Sequence, residues 1–339
     1  MSLGKRLIET AGTPPLEDAF NVVTYAGNGS ASNFVSTGFT CDLVWIKSYD
    51  ATDYHNIIDS SRNAGCFLNS NRTTGEDCNS AHAQVATGGF NAKSNPNNAS
   101  RNYVAWCWRA NEGTTSSNTN GSVTSTVQAN TDAGFSIVKW TGNQSNATIG
   151  HGLNSSPEII IAKGLYNQNW AVYHKDVGAT YWLQLNSTVA KLDEAIWQDT
   201  IPTSSVFSVN GNVVINKSSD TSIAYCFHSV DGYSKISSFT GNGSCDTTNA
   251  IQNCGFRPDF VLLKNATDGG HWGMFDSARG GTGQNNKQLA AESDGAQYTG
   301  LDSCDYVKFE DTGFRVTTSN SAYNGSGKQI IYMAFRIAS

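Results

Sequence analysis

Short apolar runs separated by clusters of Gly, Asn, Ser and Thr recur along the whole chain, and the runs are of two kinds. "DLVWIK" (42–47) and "DFVLLK" (259–264) are nearly continuous and predict strands buried on both faces, whereas "GGFNAKS" (88–94), "SVFSVNG" (205–211) and "TGFRVTTS" (312–319) alternate and predict half-exposed strands. Three further runs, "NYVAWCWRA" from Asn102, "SIAYCFHSV" from Ser222 and "QIIYMAFRI" from Gln329, carry bulky side chains on one face. These are Val104, Trp106 and Trp108, then Ile223, Tyr225 and Phe227, then Ile331, Met333 and Phe335. The opposite face holds Ala105 and Cys107, Ala224 and Cys226, and Tyr332 and Ala334. Such a strand is covered on both sides and demands close neighbours on its small side.

The runs repeat in order. "TYAGNGS" (24–30) returns as "KWTGNQS" (139–145) and "SFTGNGS" (238–244), so that Gly27 and Asn28, Gly142 and Asn143, and Gly241 and Asn242 form a signature. A strand running into Gly-Asn predicts a tight turn, for which both residues accept a positive φ. Each signature is followed by an acid leading an apolar run that ends in Lys, then by "HNIIDSSR", "NWAVYHKD" or "HWGMFDSAR", then by one of the three closing strands. Ordered landmarks repeated three times at roughly a hundred residues mark homologous modules. We therefore divide the chain into an N-terminal arm (1–19), a first module (20–113), a connection with a second module (114–232), and a third module (233–339). Within the connection, Val123 to Val127 alternates, which suits either an edge strand or a polar linker. The expected fold is all-β, with three tandem antiparallel β-sandwich, jelly-roll-like modules. A propeller-like closed array with two blades per repeat is the alternative.

Composition narrows the function classes. A net charge of −6 without any Lys/Arg cluster disfavours a nucleic-acid partner, and no apolar stretch is long enough for membrane insertion. The start, "MSLGKRLIET", lacks the features of a secretory signal, so synthesis in a cytoplasm is expected. The Asn-X-Ser/Thr triplets at Asn28, Asn71 and Asn242 are then chance products of an Asn- and Ser-rich chain. Of the eight cysteines, Cys107 and Cys226 share a slot that Ala334 fills in the third module, which predicts packed free thiols. Cys41 stands where the third module has Pro258 and reads as filler; Cys245 and Cys254 lie across a plausible hairpin, and their pairing stays open. No Cys/His spacing suits zinc, and no metal or cofactor is expected.

Candidate chemistry is sparse. Asp59 and Asp276 head "Asp-Ser-X-Arg" phrases with Arg62 and Arg279, which the second module replaces with Tyr173-His174-Lys175-Asp176; a turn-stabilising salt bridge is the expected role. Asp42, Glu158 and Asp259 recur in all three modules and suit a fold role, and His55 and His271, read as repeat equivalents, are expected to bond within their modules. There is no nucleophile elbow, and "GGTGQNNK" (280–287) lacks the residues of a phosphate loop. No catalytic residue is assigned and no enzymatic activity is expected. Trp170, Trp182 and Trp197 are either sugar-stacking platforms or core.

The combination of "YAGNGS", "DLVWIK", "NYVAWCW", "GFSIVKWTGN", "IGHGL", "IAYCFHSVDGYSK", "GFRPDFVLLK" and "YMAF" resembles an uncharacterised repeat family of virion structural, tail-fibre-type proteins of tailed phages, marine cyanophages among them. The resemblance implies a virion location, as a tail-fibre, spike or surface-decoration component without established catalytic residues. It also implies other virion proteins as partners and a homo-oligomer, a trimer being favoured, although three modules in one chain can imitate a trimer. Leu3, Leu7 and Ile8 in the arm are candidates for anchoring to a partner. Binding of host surface glycan, as a receptor-binding adhesin, is the alternative function, and a polysaccharide depolymerase is a further one.

Overall fold

A computed structural model describes residues 16–78, 82–246, 248–280, 284–285, 287–299 and 307–337. Leu3, Leu7 and Ile8 lie outside these described residues. The first module contains β1 (Phe20–Ala26), β2 (Asn33–Ser36), β3 (Leu43–Ser48), β4 (Asn56–Asp59), β5 (Ala83–Ala86), β6 (Gly89–Ala92) and β7 (Asn102–Trp108). The second contains β8 (Ser116–Asn118), β9 (Ser125–Asn130), β10 (Phe135–Thr141), β11 (Ala147–Gly150), β12 (Ile159–Gly164), β13 (Trp170–His174), β14 (Tyr181–Gln184), β15 (Leu192–Asp193), β16 (Val206–Val209) and β17 (Thr221–Phe227). In the third are β18 (Ser234–Thr240), β19 (Gln252–Asn253), β20 (Phe260–Asn265), β21 (Gly273–Asp276), β22 (Gln284–Asn285), β23 (Lys287–Ala290), β24 (Tyr298–Thr299), β25 (Val307–Glu310), β26 (Gly313–Val316) and β27 (Gln329–Phe335). The fold is all-β, and its named strands pair antiparallel. Among the described residues there is no closed barrel and no propeller.

Every module has the same inner sheet: β1-β7-β3-β4, β10-β17-β12-β13 and β18-β27-β20-β21. The closing strand lies second, between the turn strand and the lysine strand, which is why it must be apolar on both faces. Its small face packs under an outer sheet, β2-β6-β5 in the first module, β11-β16 in the second and β19-β26-β25-β22 in the third. Ala105 and Cys107 thus meet Phe90 and Ala92, Ala224 and Cys226 share a core with Phe207 and Val209, and Ala334 shares one with Phe314 and Val316. The connection between the first two modules folds as β8 and β9, which extend the second inner sheet beyond β10.

The bulky faces of all three inner sheets point into one common core. At its centre the repeat-equivalent rings of Trp108, Phe227 and Phe335 form a triangle, with centroids 6.0, 5.8 and 5.6 Å apart and interplanar angles of 64°, 76° and 66°. Each ring presents an edge toward a neighbour's face, the arrangement that the ring quadrupole favours. The three modules are thereby joined as an internal trimer, and no module can expose its bulky face without uncovering the other two.

The signature turns differ from expectation in one respect. The Gly-Asn step has no positive φ; that conformation falls on the next residue, Gly29, Gln144 or Gly243. Gly27, Gly142 and Gly241 are glycine because a Cβ there would come within 2.1 to 2.3 Å of the carbonyl oxygens of Asn98, Lys217 and Gly325. What brings that backbone so near is a buried asparagine in each module. Asn97, Asn216 and Asn324 accept from the backbone N–H of Asn28, Asn143 and Asn242 (3.0, 3.1 and 2.9 Å) and donate back to the same residues' side-chain oxygens (2.9, 3.2 and 2.8 Å).

Cys41, Cys107, Cys226 and Cys254 are buried free thiols, so Cys254 is not paired with Cys245. Cys245 is disulfide-bonded. Cys66 and Cys78 form a disulfide that the sequence reading missed, with Cα atoms 4.2 Å apart. They flank the hydrogen-bonded pair Phe67 and Asp77, and the adjacent non-bonded pair of an antiparallel ladder brings side chains closest.

Truncation of Trp108 to Ala should destabilise the whole chain by about 3–5 kcal/mol in one transition, since all three modules lose the shared contact. Cys107→Ala and Cys226→Ala should each cost about 1 kcal/mol. Urea unfolding followed by tryptophan fluorescence measures both; a Trp108→Ala chain that melts in separate steps contradicts the common core.

Candidate functional site

Polar side chains join the modules around the common core. The Asp59–Arg62 and Asp276–Arg279 pairs are fully enclosed, with N–O separations of 2.6 and 2.7 Å, so they are more than surface turn braces. Asp59 also accepts from the Tyr225 hydroxyl of the second module (2.7 Å), and Asp276 from the Trp106 indole of the first (3.2 Å). Trp106, Tyr225 and Met333 are equivalent in register, as are Asp59, His174 and Asp276. Where the third module offers Met333, which has no donor, the second has His174, which burial holds at about 4, and Val177 in place of the arginine. Charge is thus present at two of these positions only where a polar partner arrives. The two aspartates serve different junctions and share no opening, so they are not the facing carboxylates of a glycosidase.

Register also corrects the histidines. His55 aligns with Trp170 and Trp272, not with His271, and all three rings reach into the neighbouring module. His55 Nδ1 accepts from Trp45 (2.8 Å), which leaves Nε2–H to donate to Ala290 of the third module (3.0 Å). Trp170 donates to Asn69 of the first module (2.9 Å) and Trp272 to Gln184 of the second (2.9 Å). His271, one position earlier, bonds Glu292 within its own module.

Beside these rings lie three equivalent buried lysines. Lys47 donates to Ser48 and Ala51 carbonyls (2.6 and 3.3 Å), Lys163 to those of Gly164 and Tyr166 (2.7 and 2.6 Å), and Lys264 to those of Gly270 and Ser187 (2.5 and 3.4 Å). Burial lowers Lys47 and Lys264 to about 8 and Lys163 to about 7. The repeated acids are structural as expected. Asp42 accepts from the backbone N–H groups of Ala110, Glu112 and Gly113, Glu158 from Ser229, and Asp259 from Ile337, each fastening the chain that leaves the closing strand.

Trp170, Trp182 and Trp197 are buried at 0%, 3% and 1% exposure, so none presents a face to a sugar. Concave surface occurs instead on the third module, in a hollow of about 270 Å³ beside His271 and Tyr298, and more extensively at and beside the meeting of the first two modules. A groove of about 760 Å³ runs between loop 74–77 and loop 165–168, with Val213 and Lys217 beside it. A second hollow of about 350 Å³ lies across the same 74–77 wall, lined by Tyr54, Phe67, Arg72, His82 and Asn95 among others. The walls are tied together: Gly75 N–H donates to Asn167 Oδ1 (2.9 Å), Glu76 N–H to Leu165 O (3.1 Å) and Gln168 N–H to Thr73 O (2.8 Å). Tyr54 is 42% exposed, with the Arg72 guanidinium 4.4 Å from its ring centre, and Lys217 lies 5.0 Å from the ring centre of Tyr166. Nothing in the sequence singled out this site, because its two walls are ninety residues apart and neither repeats.

Residues 16–338 match the family described as "Domain of unknown function (DUF7483)", and the chain belongs to that family. No curated protein matches the chain.

Arg62→Val alone leaves Asp59 buried without its cation and should cost about 3–5 kcal/mol. The triple change Asp59→His, Arg62→Val and Tyr225→Met copies the third-to-second-module junction and should cost less than the sum of its single changes in a thermodynamic cycle; full additivity contradicts a coupled junction. Protonation gives a second test. His55, His82, His151 and His174 are all lowered, by burial first, the last two to about 4. The unfolded chain gains those protons from about pH 6.5 downward and the folded chain only later, so stability is complete above about pH 6.5 and lost toward pH 4. His271, raised by its Glu292 hydrogen bond, opposes this with a contribution lost as pH rises. The lowered lysines add stability as pH rises above about 7, because the unfolded chain keeps protons that the folded chain has released. Above about pH 8.5 unfolded thiols ionise while the buried Cys107, Cys226 and Cys254, all raised by burial, do not, which offsets the protons released by the three lysines and ends the gain. The melting temperature should therefore climb from pH 5 to about pH 8.5, and Lys163→Met should flatten the upper part; a curve flat above pH 7 contradicts the lysine burial.

Proposed function

We propose that this DUF7483 chain is a non-enzymatic structural component of a tailed-phage virion, of tail-fibre, spike or surface-decoration type, held by its N-terminal arm to other virion proteins. The observation that carries the reading is the internal trimer. Three modules close on one aromatic core and set the buried side chains of Asp59, Asp276, His55, Trp170 and Trp272 in hydrogen bonds across the junctions, which suits a rigid body displaying loops rather than a catalyst. The phage context rests on the resemblance of the ordered repeat motifs. Two disulfide-bonded regions, at Cys66–Cys78 and at Cys245, suit a protein that serves outside the reducing cytoplasm in which it is made.

Gradient-purified particles analysed by quantitative mass spectrometry should contain the chain at a fixed copy number. A chain beginning at Leu16, which keeps Leu16 and Ala19 against the common core, should keep its melting temperature yet fail to be incorporated. Absence from particles while the chain is abundant in the lysate sinks the proposal, and normal incorporation of the shortened chain sinks the role of the arm.

A further inference from the structure

We propose that the groove at the junction of the first and second modules, with the adjoining hollow on the first, forms a binding site for a neutral oligosaccharide. The proposal concerns what the chain binds and stands whether or not the chain is found in a virion.

The chemistry of the lining selects the ligand. Two acids, Glu76 and Asp77, face two bases, Arg72 and Lys217, so the site lacks the excess of cations that a nucleic acid requires. The backbone groups joining Gly75, Glu76 and Gln168 to the opposite wall are already used, which leaves no strand edge there for an extended peptide. Apolar aliphatic lining is limited to Leu165 and Val213 in the larger groove, too little for an amphipathic helix. Tyrosine rings beside planar amide and guanidinium groups remain: Tyr166 with Asn167 and Gln168, and Tyr54 with Arg72 and Asn95. That combination matches a ligand with apolar ring faces and a rim of hydroxyls. Each volume, about 760 Å³ for the groove and about 350 Å³ for the hollow beside it, falls within the range of about 300–1,000 Å³ that ligand sites occupy.

The site is also held in advance of binding. The Cys66–Cys78 disulfide closes the loop that carries the 74–77 wall, and Glu76 is fixed from beneath by the buried Arg62 at 3.0 Å. Tyr166 rests on Gly164, where a Cβ would come within 2.5 Å of a ring carbon, and its hydroxyl accepts from Lys217 N–H at 3.1 Å. A fixed wall reduces the ordering cost of binding. These features break the repeat: the residues equivalent to Tyr166 are Asp50 and Thr267, and those equivalent to Gly164 are Ser48 and Asn265. The common core does not require them, since the other two junctions close without them.

The test is titration of the full chain with maltohexaose, cellohexaose, chitohexaose and mannohexaose by saturation-transfer NMR and calorimetry. At least one should bind with Kd below about 1 mM, and Tyr54→Ala and Tyr166→Ala should each weaken it about tenfold or more. Arg72→Ala and Lys217→Ala alter only exposed side chains and should weaken binding by about threefold or more at an unchanged melting temperature. They decide the matter should Tyr166→Ala fail to fold. Reduction of the disulfide should likewise weaken binding. No response to any of the four saccharides at about 10 mM, or binding unaltered in the Arg72 and Lys217 variants, overturns the proposal.

Discussion

The ring triangle of Trp108, Phe227 and Phe335 is the contact on which the rest of the molecule depends. Each ring sits at the end of a closing strand flanked on both sides by other strands, and each strand has its second face under an outer sheet. A single module would leave its bulky face in water, an apolar surface of the kind that drives association. Covalent continuity makes that association intramolecular, so the modules meet at high effective concentration and in a set order. The division of labour between strand faces follows: small residues allow the two sheets of a module to approach, and large ones fill the space around the axis.

Around that apolar centre, the two buried carboxylates are tolerated because each is matched. Asp59 and Asp276 have both an arginine and a donor from the neighbouring module, while His174 and Val177 stand opposite a methionine. A buried carboxylate with no partner costs several kcal/mol, so the sequence change at one position is tied to changes at positions more than a hundred residues away. The near-threefold symmetry is therefore one of shape and not of charge. The same holds for the junction rings, where one imidazole and two indoles make the equivalent hydrogen bond to a neighbour's carbonyl.

Departures from symmetry fall mostly outside the core. β8 and β9 extend only the second inner sheet, and the Cys66–Cys78 loop belongs only to the first module. The groove lies where those two modules meet, which places a site with its own chemistry on a scaffold whose stability comes from elsewhere. Rigid elements beneath and a stapled loop above let such a site vary without disturbing the packing.

Strand type, the threefold repeat, the two-faced closing strand and the small slot shared by Cys107, Cys226 and Ala334 were all legible in the sequence, because each is written in side-chain size and alternation within a few residues. The reason for the signature glycine was not. It depends on Asn97, Asn216 and Asn324, which sit about seventy to eighty residues away in the dissimilar settings "NPNNAS", "INKSSD" and "AYNGSG". The histidine alignment failed by one residue because strand register, set by pairing and not by motif, decides which ring faces the junction. Three tryptophans that composition offered as sugar platforms are buried, while the rings that line the groove and its neighbour, Tyr166 and Tyr54, stand in loops at positions where the other modules have no tyrosine. Local pattern thus determined what each strand is and how often it recurs. The packing of three modules on one axis alone decided which faces meet, which charges are paired and where a groove opens, since those depend on distances between segments that no local pattern encodes.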